Sequence, residues 1–337
     1  MKYYGHQKHI ADCAAHVNSK TTGVLLVNLG TPEQATTHKL RRYLAEFLMD
    51  PRVIELPFLL RLILVRGLIV NFRAKKSASS YAKIWTESGS PLLTHSKGLH
   101  DQVAQQLGDD FDTCLAMRYG EPAIRTQLQA LHQRGIQKLI VVPLYPQYSA
   151  STTGSVFDSV TRVLSEFRRV PEFKFVDSYY RQPNYISAIA ESIKQHWLAR
   201  AQADKLIISF HGLPEKMINN GDPYQQQCVD TADLIAERLG LHADQWMMVF
   251  QSRFGAQKWL QPYCDKTLES LPGLGIKSVD IICPGFSVDC LETLMEIDME
   301  NREIFLQAGG ESFSYIECLN EQPANVDIIS TLIKNEA

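Results

Sequence analysis

The sequence predicts an α/β protein of two doubly wound domains, each on a four-stranded parallel sheet. Three observations lead there. Short apolar runs bounded by Gly or Pro recur at 23–29, 113–118, 138–144 and 172–177, and again at 205–210, 246–252, 278–284 and 312–318. Unbroken runs of that length suit strands buried on both faces. Helical patterns lie between them, such as 121–134 and 224–239, and strand–helix alternation signals parallel βαβ units. The two sets of four also share turn chemistry. Asn28-Leu29-Gly30-Thr31-Pro32-Glu33 ends the first strand of one half, and Phe210-His211-Gly212-Leu213-Pro214-Glu215 ends the first strand of the other.

In chain order, the first domain is expected over 21–177 and the second over 178–320, with a C-terminal helix over 321–337 that packs back. The first twenty residues lack an apolar stretch of signal-peptide length. Roughly eighty residues separate the first two strands, far more than an ordinary connection, and 40–90 is expected to be an insertion that forms a lip over the cleft. Its apolar segment 53–70 is broken by Glu55, Pro57, Arg61 and Arg66, so it does not reach the about 20 nearly uncharged residues of a spanning helix. A buried core helix and a surface-lying lip both remain open for it. The third strands end in Val142-Pro143-Leu144-Tyr145 and Cys283-Pro284-Gly285-Phe286. Ligands of open α/β sheets bind beyond the carboxyl ends of strands, so these four turns are candidates to line one cleft.

Composition narrows the function. With 34 Lys and Arg against 37 Asp and Glu, the net charge is −3, which argues against a nucleic-acid binder. Seven scattered Cys without CxxC spacing read as reduced thiols of a cytoplasmic protein. Neither a Gly-x-Gly-x-x-Gly fingerprint nor a Gly-x-Ser-x-Gly elbow is present.

His211 ends a buried strand beside a glycine, where it can take a proton or bind a metal; a satisfied turn histidine is the alternative. Ser287 is a plausible N-cap for a helix with Asp289 in its first turn, followed by Glu292, Glu296, Glu300 and Glu303 at spacings of three and four. No Lys occurs between Ser287 and Arg302. An uncompensated acidic ridge suits protons or hard cations, and a solvated helix face is the alternative. The hydroxyl-rich loop 145–155 opens a helix, either to bind an anion through backbone N–H groups or as a plain cap. Asp222 and Pro223 suit a helix start, which leaves Tyr224 free to face the cleft.

Together these motifs resemble the ferrochelatases. The resemblance rests on Val27-Asn28-Leu29-Gly30-Thr31-Pro32-Glu33, Arg118-Tyr119, residues 144–155 and 209–224, Gln251-Ser252-Arg253 with Trp259, and residues 286–298. It implies a chelatase-like fold of two Rossmann-like domains with a porphyrin between them. It also implies insertion of Fe2+ into protoporphyrin IX, the last step of heme synthesis. By position, His211 and Glu292 correspond to the family's active-site pair, for proton transfer or transient metal binding, and Asp289 and Glu296 to its acidic helix. Leu29, Arg73, Tyr81, Arg118, Tyr119, Tyr224, Trp259 and Phe286 correspond to the porphyrin pocket. The 53–70 lip becomes a peripheral contact with the inner face of the membrane.

Cys290 stands where animal members have His. Ala150 stands where they have a cluster-binding Cys, and no Cys-rich tail follows Cys318, so no permanent cofactor and no [2Fe–2S] cluster is expected. Leu29 replaces the Tyr of Gram-positive, coproporphyrin-using members, which favours protoporphyrin. The alternatives are a chelatase for another tetrapyrrole and a non-catalytic heme or porphyrin carrier.

Overall fold

Eight strands form in the expected places: β1 Thr22–Gly30, β2 Phe111–Tyr119, β3 Lys138–Pro143, β4 Glu172–Phe175, β5 Lys205–His211, β6 Trp246–Gln251, β7 Ser278–Ile282 and β8 Ser312–Ile316. They make two all-parallel four-stranded sheets, ordered β2-β1-β3-β4 and β6-β5-β7-β8, so the halves repeat one topology. The structure is a computed structural model and describes residues 22–337 except Ala256. The expectation for the first twenty residues, and Cys13, lie outside the described residues.

Alternation along each strand explains the layers. In β1, Val24 and Leu26 face one way and Leu25 and Val27 the other, all fully buried under helices. β5 repeats this with Ile208 and Phe210 against Ile207. Val24, Leu26, Ile140 and Val142 of the first sheet share one core with Ile208, Phe210 and Ile282 of the second. Residues of the helices Pro91–Leu107, Pro183–Arg200 and Pro323–Glu336 fill that shared core. The two halves therefore meet through a continuous apolar seam. The C-terminal helix is tied to the first half by Gln106 Nε2 to Asp327 Oδ1 (2.7 Å) and by Lys138 Nζ to the Ala337 carbonyl (2.8 Å).

Several boundaries differ from expectation for local reasons. The helix expected at 121–134 spans Ile124–Gln133. Glu121 precedes Pro122, which disfavours the helical region for it. The helix Tyr224–Leu239 matches, with Asp222 Oδ1 accepting the Tyr224 N–H (3.0 Å). The apolar lip segment starts only after Pro57 and runs on to Ile84, through Phe58–Leu62, a π-helical turn Ile63–Ile69 and Val70–Ile84. Its buried row is Arg61, Val65, Val70, Ala74, Ala78 and Tyr81. The five-residue step from Val65 to Val70 falls in the wide turn, which keeps both on the inner face. Phe58, Leu59, Leu60, Ile63, Leu68 and Phe72 are exposed on the outer face. The segment is thus core on one side and an exposed apolar surface on the other.

Candidate active site

The acidic helix departs most from expectation. Ser287 does not cap it: the helix begins at Leu291, and Glu292–Asn301 is π-helical. Side chains intercept the backbone donors that would have extended it backwards. The Asp289 N–H donates to Asn320 Oδ1 (2.8 Å) and the Cys290 N–H to Thr293 Oγ1 (3.0 Å). Asp289 is consequently removed from the ridge. Its carboxylate is buried and accepts from Thr293 (2.8 Å), Tyr315 (2.5 Å) and Asn320 (2.7 Å). Four-residue steps do suit the π-helical stretch, and Glu292 and Glu296 are half-buried while Glu300 is exposed, so the row grades outwards to solvent. Glu303 lies beyond it in the helix Arg302–Gln307 and is exposed.

His211 is the last residue of β5, paired with Gln251 of β6. Its Nδ1 lies 2.7 Å from the Gly212 carbonyl. A carbonyl only accepts, so Nδ1 carries the proton and the neutral ring keeps a lone pair on Nε2. Burial pushes the imidazole pKa down, and the Glu292 charge and the Gly212 carbonyl push against that, with burial prevailing. Gly212 is required because a Cβ would sit 2.8 Å from the Gln251 carbonyl oxygen. His211 and Glu292, far apart in sequence, are thus brought into one electrostatic site.

Protic groups wall that site. The Glu292 charge acts on the hydroxyls of Tyr43, Tyr81 and Tyr145 and on the Cys290 thiol, all raised chiefly by burial. Tyr43 donates to the Gly30 carbonyl (3.0 Å), whereas the buried Tyr145 hydroxyl has no partner. Glu296 is pushed up to about 7, mainly by burial and also by Glu292 and Glu300, against two hydrogen bonds from Ser252. A carboxyl titrating there can both take and give a proton near neutrality. Among the described residues no three His, Cys, Asp or Glu side chains converge as a metal site.

The pocket candidates separate into groups. Leu29 near the end of β1 and Phe286 in the turn that follows β7 are half-buried. Tyr81 is buried on the lip helix beside Thr31 and Tyr43. Arg73, exposed on that helix, lies 5.0 Å over the Phe254 ring, and Phe254 packs on Trp259 (4.8 Å). These residues join the lip to the loop after β6. Arg118 and Tyr119 are held in a buried network that sequence reasoning missed. Arg118 donates to Asp50 and Ser155, Tyr119 donates to Asp50 (2.8 Å), and the Arg118 guanidinium lies 4.5 Å over the Tyr119 ring. Tyr224 corrects its expectation: it is buried in the shared core beside Cys228 and Tyr185 and does not face the cleft freely. Its helix buries the ring at the domain seam, which position in sequence could not show.

The 145–155 loop also resolves. Ser149 Oγ accepts from the Ser151 N–H (3.2 Å), and Asp222 Oδ2 accepts from the Ala150 N–H (2.8 Å) and the Ser149 hydroxyl (3.0 Å). The loop is a cap, and the anion on it is Asp222 from the other half. The six described cysteines are free and buried.

A family model for ferrochelatase matches residues 21–337. The chain is similar to the ferrochelatase of Marinobacter nauticus, 49% identical over 324 residues, covering 95% of this chain and 88% of that one. It is also similar to the ferrochelatase of Alcanivorax borkumensis, 50% identical over 324 residues and 95% of each chain. Among solved structures it resembles SirB from Bacillus subtilis with Fe3+, with a TM-score of 0.54 at 14% identity over 94% of this chain and 96% of that one. CbiX, described as the terminal enzyme of siroheme biosynthesis in denitrifying bacteria, has a TM-score of 0.53 at 14% identity, over 94% of this chain and 99% of that one. These structures share the chelatase fold.

Proposed function

The chain belongs to the ferrochelatase family, and we propose that it inserts Fe2+ into protoporphyrin IX, forming protoheme and releasing two pyrrole protons. What supports this reading is that the Glu292 charge acts on the buried His211 ring, with Glu292 at the head of a row that grades outwards to solvent.

Metal insertion needs the two pyrrole protons removed and carried away. The lone pair on His211 Nε2 serves as the base. Glu292 exchanges charge or protons with it, and Glu296, half-ionised near neutrality, passes protons on to the exposed Glu300. The same carboxylates can hand the metal inwards. Tyr81, Phe286 and Leu29 supply apolar walls for the macrocycle, and Arg73 at the mouth supplies a cation for a propionate. Leu29 favours protoporphyrin. Ala150 in the loop after β3 fits an enzyme without an iron–sulfur cluster.

Phe58 (60% exposed), Leu59 (68%), Ile63 (69%) and Phe72 (75%) support a peripheral contact with the inner face of a membrane, where an apolar porphyrin partitions. The exposed Arg66, Lys75 and Lys76 nearby suit anionic headgroups. No helix of the described residues is long and apolar enough to cross a membrane.

The test is anaerobic incubation of the purified protein with protoporphyrin IX and Fe2+, or with Zn2+ as surrogate, following the Soret band and loss of porphyrin fluorescence. Catalytic turnover is expected. Heme bound more tightly than free porphyrin, without turnover, would instead make the protein a carrier.

A further inference from the structure

We infer that Gln251 is a positioning residue that ties the turn carrying His211 to the first turn of the acidic helix. The inference rests on the ferrochelatase reading for its chemistry, but the geometry stands by itself.

Gln251 is the last residue of β6 and is 2% exposed. Its backbone serves one partner and its side chain the other. The backbone carbonyl accepts the Gly212 N–H (2.8 Å), and the Gly212 carbonyl in turn holds His211 Nδ1. The side-chain Nε2 donates to the backbone carbonyl of Glu292 (2.9 Å), at the start of the π-helical stretch. The amide orientation is fixed from behind. Oε1 accepts from the Ser209 hydroxyl (2.8 Å) and the Cys283 thiol (3.5 Å), on the strand to one side and just past β7. Ser209, Gln251 and Cys283 are all buried, so this polar cluster sits at the sheet end directly under the site.

The physical consequence is a fixed separation between two groups on different elements. A helix start leaves its first N–H groups without partners inside the helix, so a first turn is held in place mainly by contacts from outside it, and here the Glu292 carbonyl takes one such contact through its second lone pair. A buried amide with both ends satisfied sets that start to within hydrogen-bond tolerance. Proton transfer is steeply dependent on such placement; a shift of about 1 Å can cost roughly a hundredfold in rate. Gln251 itself lies beneath the strand ends, so it acts through Glu292.

The test uses Gln251→Met, which matches the side-chain length without hydrogen bonds, and the double variant Ser209→Ala/Gln251→Met, which also removes the hydroxyl left unpaired. Metal insertion and amide hydrogen exchange of the full chain are measured for both. We expect kcat to fall by about ten- to a hundredfold in both. KM for porphyrin should stay within about twofold, because no substrate contact is removed. Exchange should quicken at the start of the acidic helix while the sheets stay protected. Recovery of kcat in the double variant would reduce Gln251 to a folding role and overturn the inference. Unchanged exchange at that helix start would do the same, as would a rise in KM with kcat intact. If Gln251→Met does not fold, Gln251→Asn, one methylene short but still polar, is read by the same criteria. A wild-type protein that inserts no metal would sink the ferrochelatase reading alone, and the exchange measurement would still decide whether Gln251 holds the helix start.

Discussion

Ser252 donates twice to Glu296: its backbone N–H reaches Oε1 at 2.6 Å and its hydroxyl bonds Oε2. Ser252 adopts φ +68°, a left-handed conformation uncommon for a non-glycine residue, which aims both donors at one carboxylate. Hydrogen bonds to the ionised form lower a pKa, yet Glu296 still titrates at about 7 because burial and two neighbouring carboxylates outweigh them.

That balance predicts a pH dependence of stability. The folded protein holds the Glu296 proton between about 4.5 and 7, where the unfolded chain has released it. More protons are bound when folded, so stability falls as pH rises through that window. Glu296→Gln should remove this slope. Its gain over wild type, measured by urea unfolding, should be on the order of 2 kcal/mol larger at pH 8 than at pH 4.5. Parallel curves for the two proteins would show that Glu296 is ionised throughout.

His211 predicts a second pH effect. Its folded pKa lies below 6.5, so the neutral ring persists as pH falls through 6.5 and the acid limb of activity lies lower still. Stability is lost as pH falls below that value, because the unfolded chain takes the proton more readily. His211→Ala should cut metal insertion by roughly 10²–10⁴-fold with little change in thermal midpoint, since the ring's hydrogen bond is to its own neighbour's carbonyl. Zinc insertion followed from pH 5 to 8 checks both points.

Asp50 carries structural weight. It is buried and accepts from Arg118, Tyr119 (2.8 Å) and Ser155 (2.6 Å). Burial pushes its pKa up, but these partners and the Arg52 N–H hold it below the ordinary carboxylate range. Asp50→Ala strands the Arg118 charge and should destabilise by about 3–5 kcal/mol in urea unfolding. A loss below about 1 kcal/mol would mean that water replaces the carboxylate.

The lip predicts a separation of membrane contact from stability. Leu59→Asp combined with Ile63→Asp should abolish sedimentation with anionic vesicles and shift unfolding by less than about 0.5 kcal/mol per site, since both side chains are more than two-thirds exposed. Undiminished vesicle binding would place the contact elsewhere on the surface.

The eight strands, the strand-end position of His211 and the repeat of the two halves were legible in the sequence, because apolar runs and turn residues are local signals. The same signals placed Glu292, Glu296 and Glu300 in one row. Asp289 was misassigned to that row because its partners, Tyr315 and Asn320, follow it by 26 and 31 residues. Tyr224 was assigned to the cleft because no sequence pattern states which domain face its helix presents. Asp50 stood in no motif, and Gln251 stood in one only as part of the family pattern Gln251-Ser252-Arg253, which says nothing of its partners; the roles of both lie in hydrogen bonds to segments distant in sequence within the same half.

By itself the sequence determined two parallel sheets, a histidine at one strand end with a glycine in the matching turn, and an acidic helix nearby. Periodicity and turn chemistry act over a few residues, so they survive being read in one dimension. Only the tertiary structure decided which carboxylates lie in the row near His211 and which are buried as hydrogen-bond acceptors elsewhere. It decided this by burial and by hydrogen bonds between distant segments, which set the proton affinities of His211 and Glu296.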